Sequence, residues 1–350
     1  MEGNPLTLHR VIGAAGLTLK PLYGSCQLGS LHLMHVPKFT FFESNGVYCH
    51  VQFLKESYAR AWLSDQMTES LENLIEILDL EQIEVNIFRG YTPDEKRIRV
   101  FGGQVAAQAL IAAGRTVDGL SVHSLHAYFL RPGDTKIPIV YVVDRIRDGK
   151  SFATRRVVAY QHGEAIFNLS ASFHKEEAGI DHQVKMPDVP PPTSLPTFKE
   201  KMAPFAKRMG DWYSRPRPLD QRYVTEPNMF RTDSPREPLQ QVWVRADGTL
   251  PDDPLLHACV IAYASDMTLL DSIMLPHQIS WDQPGIMVAS LDHAMWFHRP
   301  FRADEWFLYD QQSTNAYGAR GLARGEIYSE SGTLLVSVVQ EGLIRITDRN

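Results

Sequence analysis

The chain of 350 residues is longer than one compact domain usually is, so its length predicts two domains with separate cores. Apolar residues make up 44% and charged residues 22%, a globular composition that excludes a largely disordered or fibrous chain. The formal charge of -6 excludes overall attraction to nucleic acid, so an anionic ligand would need a local arginine cluster.

Residues 1–66 differ from the rest of the chain and are predicted to be an extension of uncertain role. A helical pattern begins only at Met67, so the preceding stretch is a dispensable extension, a misplaced start or, given its few acidic residues, a mitochondrial transit peptide. The three cysteines lie far apart and suit a reducing compartment. No run approaches the roughly 20 apolar residues of a membrane span. We therefore expect a soluble cytoplasmic protein, with a mitochondrial location as the alternative.

An N-terminal domain is predicted over residues 67–185. Its first helix carries leucines at helical spacing from Leu71 onward, and a second apolar helix runs from about Gly103 to Ala113. Four strand patterns follow, separated by glycine-containing turns: Val122 to Leu130, Ile137 to Val143, Ser151 to Tyr160 and Ala165 to Phe173. A helix followed by hairpin-linked strands indicates an α+β fold.

Prolines interrupt any regular pattern over residues 186–238, which we interpret as a linker or a long crossover. The plan of the first domain then returns in a C-terminal domain over residues 239–350. Its predicted elements are an apolar helix and four strands: Leu255 to Ile273, then Ile286 to Phe297, Trp306 to Ser313, Leu322 to Tyr328 and Thr333 to Arg345. Arg131 and its neighbours recur around Arg299, which predicts an internal duplication with a period of about 168 residues.

Three polar residues interrupt apolar faces of the C-terminal domain. Asp266 lies within the long apolar helix pattern, where burying a carboxylate without partners is costly. Gln340 continues the apolar face of the last strand under the period-two rule, and Ser290 does the same in the strand after the helix. Any one of them alone is most simply interpreted as a polar core residue whose hydrogen bonds are satisfied within the protein. Three that aim at one interior indicate a site.

Dense motifs extend across both predicted domains. They are Phe88-Arg89-Gly90, Val100-Phe101-Gly102-Gly103-Gln104, Tyr128-Phe129-Leu130-Arg131-Pro132-Gly133-Asp134, Gly149-Lys150-Ser151-Phe152, Ala171-Ser172-Phe173, Tyr263-Ala264-Ser265-Asp266, Asp292-His293-Ala294-Met295-Trp296-Phe297-His298-Arg299-Pro300 and Val339-Gln340-Glu341-Gly342. With these motifs the sequence from about Met67 to the C-terminus resembles the type II acyl-CoA thioesterases, the family of bacterial thioesterase II and the peroxisomal acyl-CoA thioesterase. The resemblance implies an α+β fold of the double hot-dog kind, with two fused domains that each wrap a long helix in an antiparallel sheet.

The resemblance also implies a function, an acyl-CoA thioesterase that hydrolyses fatty acyl-CoA to free fatty acid and CoA. The family's catalytic Asp, Thr and Gln fall on Asp266, Ser290 and Gln340. Serine in place of threonine is the one departure, and it keeps the hydroxyl. In this interpretation Asp266 activates a water that attacks the thioester. No metal, cofactor or covalent serine intermediate is then required, and coenzyme A is part of the substrate.

The sequence patterns that predict the substrate-binding residues are weaker. Backbone N–H groups of Gly102 and Gly103, at a helix start, are candidate donors to the oxyanion, although the same glycines also suit tight packing. Arg299, Arg320 and Arg324 are candidates for binding the CoA phosphates, or alternatively solvated charges at the rim of the site.

Two other functions stay open. An Asp and a His can form the acid/base pair of a hot-dog enoyl-CoA hydratase, but Asp292 and His293 are adjacent in a strand and therefore point to opposite faces. A non-catalytic acyl-CoA binding protein would keep the arginines but has no need of the polar trio. Because hot-dog sheets commonly pair through exposed edges, we also expect a homodimer or homotetramer.

Overall fold

The computed structural model describes residues 67–93, 99–230, 233–281 and 283–347. The predicted extension, residues 1–66, lies outside the described residues, and the predicted domain boundaries stay predictions. Among the described residues, no helix combines the length and the apolarity that a membrane span needs.

Two helices and six strands make up the first half of the described chain. They are α1 (Glu69–Leu78), β1 (Glu81–Glu84), β2 (Ile87–Gly90), α2 (Gly102–Gly114), β3 (Ser121–Phe129), β4 (Ile139–Asp148), β5 (Phe152–Gln161) and β6 (Glu164–His174). The structure confirms the predicted apolar helix as α2 and the four predicted strands as β3 to β6, with shifted ends. Strands β1 and β2 were not predicted because four residues are too few to establish a period-two pattern.

The segment 186–238 is more than the linker that its prolines predict. It contains the short helices α3 (Phe198–Met202), α4 (Ala206–Met209) and α5 (Asp211–Ser214) and the strand β7 (Leu219–Tyr223). Strand β7 pairs with the next strand along the chain, so this part of the segment extends the sheet of the second half. Gln221 in β7 is polar but buried. Its polar side chain interrupts the apolar alternation by which the sequence would have predicted this strand.

The second half repeats the helix-and-strands plan with two breaks that were not predicted. Its elements are β8 (Leu239–Ala246), α6 (Pro254–Ser265), α7 (Asp271–Met274), β9 (Ile286–Ser290), β10 (Asp292–Phe297), β11 (Phe307–Tyr317), β12 (Arg320–Ser329) and β13 (Leu334–Ile346). The prediction of one helix from Leu255 to Ile273 is wrong, because α6 ends at Ser265 and Asp266 caps it. The prediction of one strand from Ile286 to Phe297 is also wrong, because Leu291 separates β9 from β10.

The strands form one antiparallel sheet across both halves. Their order is β1-β2-β4-β5-β6-β3-β10-β13-β12-β11-β8-β7, with β9 paired to β13. Strands β3 and β10 join the halves, and His126 lies opposite Ala294 at their junction. The pairing extends symmetrically from these two residues, which relates the halves by an approximate two-fold axis. Helices α2 and α6 pack against each other on one face of the sheet.

The sheet buries side chains on both faces in the second half. On the helix side, α6 is buried from Leu256 to Ser265. On the opposite side, Trp243 belongs to a small apolar cluster covered by the segment that follows β6, and its indole Nε1 donates to Pro190 O at 2.9 Å.

A one-residue bulge at Leu291 changes which side chains face the helices. Before the bulge, Ser290 lies opposite Gly342 of β13, and after it Ala294 lies opposite Val339, so β9 and β10 contain one residue more than the partner strand. The Leu291 N–H donates to Glu341 O at 2.9 Å, and Leu291 O accepts from Phe129 N at 3.0 Å. Because side chains alternate with a period of two, the extra residue reverses the alternation. Even-numbered residues face inward in β9, and His293 faces inward in β10.

Candidate active site

Asp266, Ser290 and Gln340 converge from three different elements. Asp266 follows α6, Ser290 ends β9 and Gln340 lies in the middle of β13. Gln340 Nε2 donates to Asp266 Oδ1 at 2.8 Å and to Ser290 Oγ at 2.7 Å. Ser290 Oγ in turn donates to Asp266 Oδ1 at 3.1 Å. The structure therefore brings the three predicted polar residues into one hydrogen-bonded group.

The carboxylate of Asp266 receives the hydrogen bonds of this group. Burial raises the pKa of Asp266, because the charged form loses water around it. The neighbouring His293 and the hydrogen bonds from Gln340, Ser290 and the Gly103 N–H oppose this rise. Asp266 as a residue is still partly exposed. A carboxylate whose pKa is raised takes up a proton more readily than an ordinary aspartate does, which is the property that a general base needs.

The start of α2 lies directly against the carboxylate. A Cβ at Gly102 would lie 2.7 Å from Asp266 Oδ2 and 2.8 Å from Phe129 Cε1. A Cβ at Gly103 would lie 2.6 Å from the Tyr263 backbone oxygen. Both glycines are therefore required for close approach of the two halves. The Gly103 N–H, a predicted candidate donor to an oxyanion, donates to Asp266 in this structure.

His293 joins the group although the sequence placed it only in a rival acid/base pair. Its Nδ1 lies 2.9 Å from Gln340 Oε1, and its Nε2 lies 2.8 Å from Ser265 Oγ. The adjacent Asp292 accepts from the Glu341 N–H at 2.6 Å instead. The two neighbours thus point to opposite faces, as predicted. The sequence did not predict that His293 contacts the trio, because its inward direction depends on the bulge at Leu291. Apart from the polar pair Asp292 and His293, an apolar strand pattern gives no sign of such a bulge.

The three predicted CoA-binding arginines are not brought together at the trio. Arg299 donates to Leu334 O at 2.8 Å and forms an ion pair with Asp181, which follows β6. Arg320 pairs with Glu341 at 3.0 Å, and Arg324 donates to a glutamine side chain on the neighbouring strand. A further arginine, Arg99, was not predicted, and it donates to a backbone oxygen of β9 at 2.8 Å.

The first half does not repeat the trio. Ala171 in β6 is the counterpart of Gln340 in β13. Arg155 of β5 lies opposite Ala171, and Ala323 of the equivalent strand β12 lies opposite Gln340. Arg155 is buried, and its guanidinium donates to Thr116 Oγ1 at 2.7 Å and to Thr116 O at 2.9 Å. An arginine side chain and apolar residues thus occupy the interior where the second half has its polar group.

The antiparallel sheet that packs on one central helix in each half defines the class of protein, a double hot-dog protein. A solved structure described as a protein with a hot-dog fold, from Alicyclobacillus acidocaldarius, shares this fold with a TM-score of 0.65 at 20% identity. It covers 78% of this chain, and the match covers 98% of that chain. The predicted fold class is confirmed.

Sequence comparisons identify the family. A family profile described as acyl-CoA thioesterase matches residues 217–343, and one described as acyl-CoA thioesterase N-terminal domain matches residues 92–174. An acyl-CoA thioesterase 2 of Haemophilus influenzae is 39% identical over 292 residues, which are 81% of this chain and 100% of that protein. The crystal structure of an acyl-CoA thioesterase II from Mycobacterium marinum is 48% identical, with a TM-score of 0.66 and coverage of 79% and 100% of the two chains. The chain belongs to the acyl-CoA thioesterase family, and the predicted enzyme class, a thioester hydrolase, is confirmed.

Proposed function

We propose that the protein hydrolyses fatty acyl-CoA to free fatty acid and CoA with a water activated by Asp266, Ser290 and Gln340. One observation carries this assignment of roles. A single carboxylate oxygen, Asp266 Oδ1, accepts hydrogen bonds from both Gln340 Nε2 and Ser290 Oγ, and Asp266 as a residue is partly exposed. A water bound beside this oxygen is within reach of a base and of two polar groups that can orient it.

The reaction needs only groups that the chain and the substrate supply. Asp266 takes one proton from the water while the water oxygen attacks the thioester carbonyl carbon. The tetrahedral intermediate then collapses, the carbon–sulfur bond breaks, and Asp266 returns the proton to the leaving thiolate. Gly102 stays the candidate backbone donor for the oxyanion, because the start of α2 lies beside the carboxylate, whereas the N–H of Gly103, the other predicted candidate, donates to Asp266. No metal or cofactor takes part in this proposal.

The environment of His293 argues against the enoyl-CoA hydratase alternative. A hydratase requires a histidine that reaches the substrate, but His293 is buried and both of its ring nitrogens contact protein side chains. The non-catalytic alternative, an acyl-CoA binding protein, would bind the same substrate. Only a measurement of turnover distinguishes it from a thioesterase.

An assay of the purified protein against CoA esters of graded chain length tests the proposed reaction. With free thiol as the readout, we expect turnover of at least one fatty acyl-CoA at about 1 to 1,000 per second. Binding without release of thiol across the series would support the binding-protein alternative. Hydration of an enoyl-CoA with no release of thiol would support the hydratase.

Variants of Ser290 and Gln340 test whether both residues act on the same water. We expect Ser290→Ala and Gln340→Ala each to lower kcat by about 10- to 100-fold, since each removes a hydrogen bond to a charged group. The double variant should lose much less than the product of the two losses, because the residues act as one unit. Steady-state kinetics of the three variants measures this. Fully multiplicative losses would show that the two side chains act independently.

Assembly and location stay proposals. Strands β1 and β7 are the end strands of the sheet among the described residues, and an open edge favours pairing with another chain. We propose a homodimer or homotetramer in the cytoplasm, and the mitochondrial alternative depends on residues 1–66.

A further inference from the structure

His293 lies behind the trio, on the side away from solvent. Only 1% of its surface is exposed, so the imidazole has no access to bulk water or substrate. Its Nδ1 contacts Gln340 Oε1 at 2.9 Å, and its Nε2 contacts Ser265 Oγ at 2.8 Å. A buried ring held at both nitrogens has one fixed orientation.

The charge of Asp266 determines where the hydrogens of this group lie. An ionised carboxylate only accepts hydrogen bonds, so the Gln340 amide must turn its Nε2 toward Asp266. The amide oxygen Oε1 then faces His293 and needs a donor there. His293 Nδ1 must therefore carry a hydrogen.

The second ring nitrogen is bound by the end of α6. Burial lowers the pKa of His293, so the ring is neutral at pH 7 and its Nε2 accepts. Ser265 Oγ lies 2.8 Å from Nε2 and 3.0 Å from the Ala262 backbone oxygen, and its one hydrogen points to Nε2 when the ring is neutral; this serine is itself fully buried. The Ser265 backbone oxygen accepts from Tyr309 OH at 3.0 Å, which holds the end of the helix against the sheet.

We propose that His293 is a positioning residue that fixes the orientation of the Gln340 amide, and that Ser265 holds His293 for this purpose. The inference rests on the proposed function of Asp266 and Gln340. Without the imidazole donor, the buried Gln340 Oε1 has lost its partner, and one of the contacts that oppose a half-turn of the amide is gone. That rotation places Oε1 against the Asp266 carboxylate and removes both donated hydrogen bonds from the site.

The first half of the chain supplies an internal comparison. The pairing of His126 with Ser170 in the first half corresponds to that of Ala294 with Val339 in the second. Leu125 and Ala171 therefore hold the positions of His293 and Gln340. Where the amide is absent the imidazole is absent too, as expected if the histidine serves the glutamine.

Two substitutions at His293 separate a donor role from a packing role. Asparagine places an N–H donor near the position of Nδ1, whereas glutamine places it near that of Nε2. We expect His293→Asn to keep kcat within about 3-fold of the wild type, and His293→Gln to lower kcat about as far as Gln340→Ala, about 10- to 100-fold. KM should change little in both variants. Melting temperatures measured alongside would show whether the two variants are equally folded.

A double variant tests whether His293 acts through Gln340. In the Gln340→Ala background, His293→Gln should cause no further loss of kcat, because there is no amide left to orient. Equal losses in His293→Asn and His293→Gln, or a full additional loss in the double variant, would overturn the inference. Asp266→Asn separates the two proposals: if that variant keeps its rate, the proposed function fails, whatever the His293 variants do.

Nitrogen NMR of the wild-type protein provides a test that does not depend on folding of a variant. With ¹⁵N-labelled histidine, the His293 signals are assigned by their loss in His293→Asn. We expect a neutral ring with a protonated Nδ1 and an unprotonated Nε2 at pH 7. A ring protonated only at Nε2 cannot donate to Gln340 and would overturn the inference.

Discussion

We expect Asp266→Asn to lower kcat by about 100- to 10,000-fold, the usual cost of removing a general base. Asparagine keeps the shape of the side chain but cannot take a proton from water at neutral pH. Binding of acyl-CoA should change little, because the charge acts on the water and not on the bound ester. Steady-state kinetics, with binding measured separately by calorimetry, checks both parts of this prediction. A variant that keeps more than about a tenth of the wild-type rate would exclude Asp266 as the base.

The same base predicts the pH dependence of the reaction. The pKa of Asp266 is raised by burial, so the carboxyl group becomes protonated at a higher pH than an ordinary aspartate does. As pH falls through this pKa, the protonated group can no longer accept a proton and kcat/KM falls. The decrease should therefore begin above the pH at which an exposed aspartate titrates, and it should be absent in the residual activity of Asp266→Asn.

Asp271 provides a matched control in the same part of the chain. It is also a buried aspartate, its pKa is raised by burial to about 7, and it accepts from Trp281 Nε1 at 2.5 Å. It has no contact with the trio among its hydrogen bonds. Asp271→Asn should therefore keep kcat within about tenfold of the wild type. A loss as large as that of Asp266→Asn would mean that removing any buried carboxylate here disables the protein.

We expect Gly102→Ala to lower kcat by about 100-fold while the protein stays folded. The added Cβ would lie 2.7 Å from Asp266 Oδ2, closer than real Cβ contacts allow, so the carboxylate must move. A displacement of about 1 Å at a reacting group is enough to cost about 100-fold in rate. Alanine also favours the helix more than glycine does, so no loss of helix stability accompanies the change.

Gly179→Ala is the control for this substitution. An added Cβ at Gly179 meets no atom within 4 Å, so this variant should match the wild type in kcat and melting temperature. Kinetics and thermal melting of the two variants are measured together. Wild-type turnover in Gly102→Ala would show that the position of Asp266 tolerates displacement, which contradicts the proposed role of α2.

The period-two pattern was enough to predict the inward direction of Ser290 and Gln340. Both residues continue apolar faces of regular strands, and the structure confirms that Gln340 is buried beside Val338. The same rule was insufficient for His293, because a bulge at Leu291 reverses the alternation. A bulge inserts one residue without changing the apolar character of a strand, so periodicity cannot detect it.

The end of α6 shows a second limit of sequence patterns. A helix that is buried on all sides has no polar face whose loss marks its end, and the polar residues between Ser265 and Ser272 were compatible with a buried helix that continues to Ile273. The structure ends the helix at Ser265. This end point places Asp266 at the cap, beside Gly103 of the other half. The partners of Arg299 were hidden for another reason, since the aspartate that pairs with it is 118 residues away in the chain.

The contact between Gly103 and Asp266 joins the two halves of the chain at the proposed catalytic carboxylate. In the proposed function the second half contributes the acid–base chemistry, and the first half contributes the helix start whose Gly103 N–H donates to the carboxylate. Because Arg155 occupies the opposite interior, the proposed function gives each chain one hydrolytic site among its described residues. Neither half by itself contains both the carboxylate and the helix start that donates to it, so we expect either half expressed alone to be inactive.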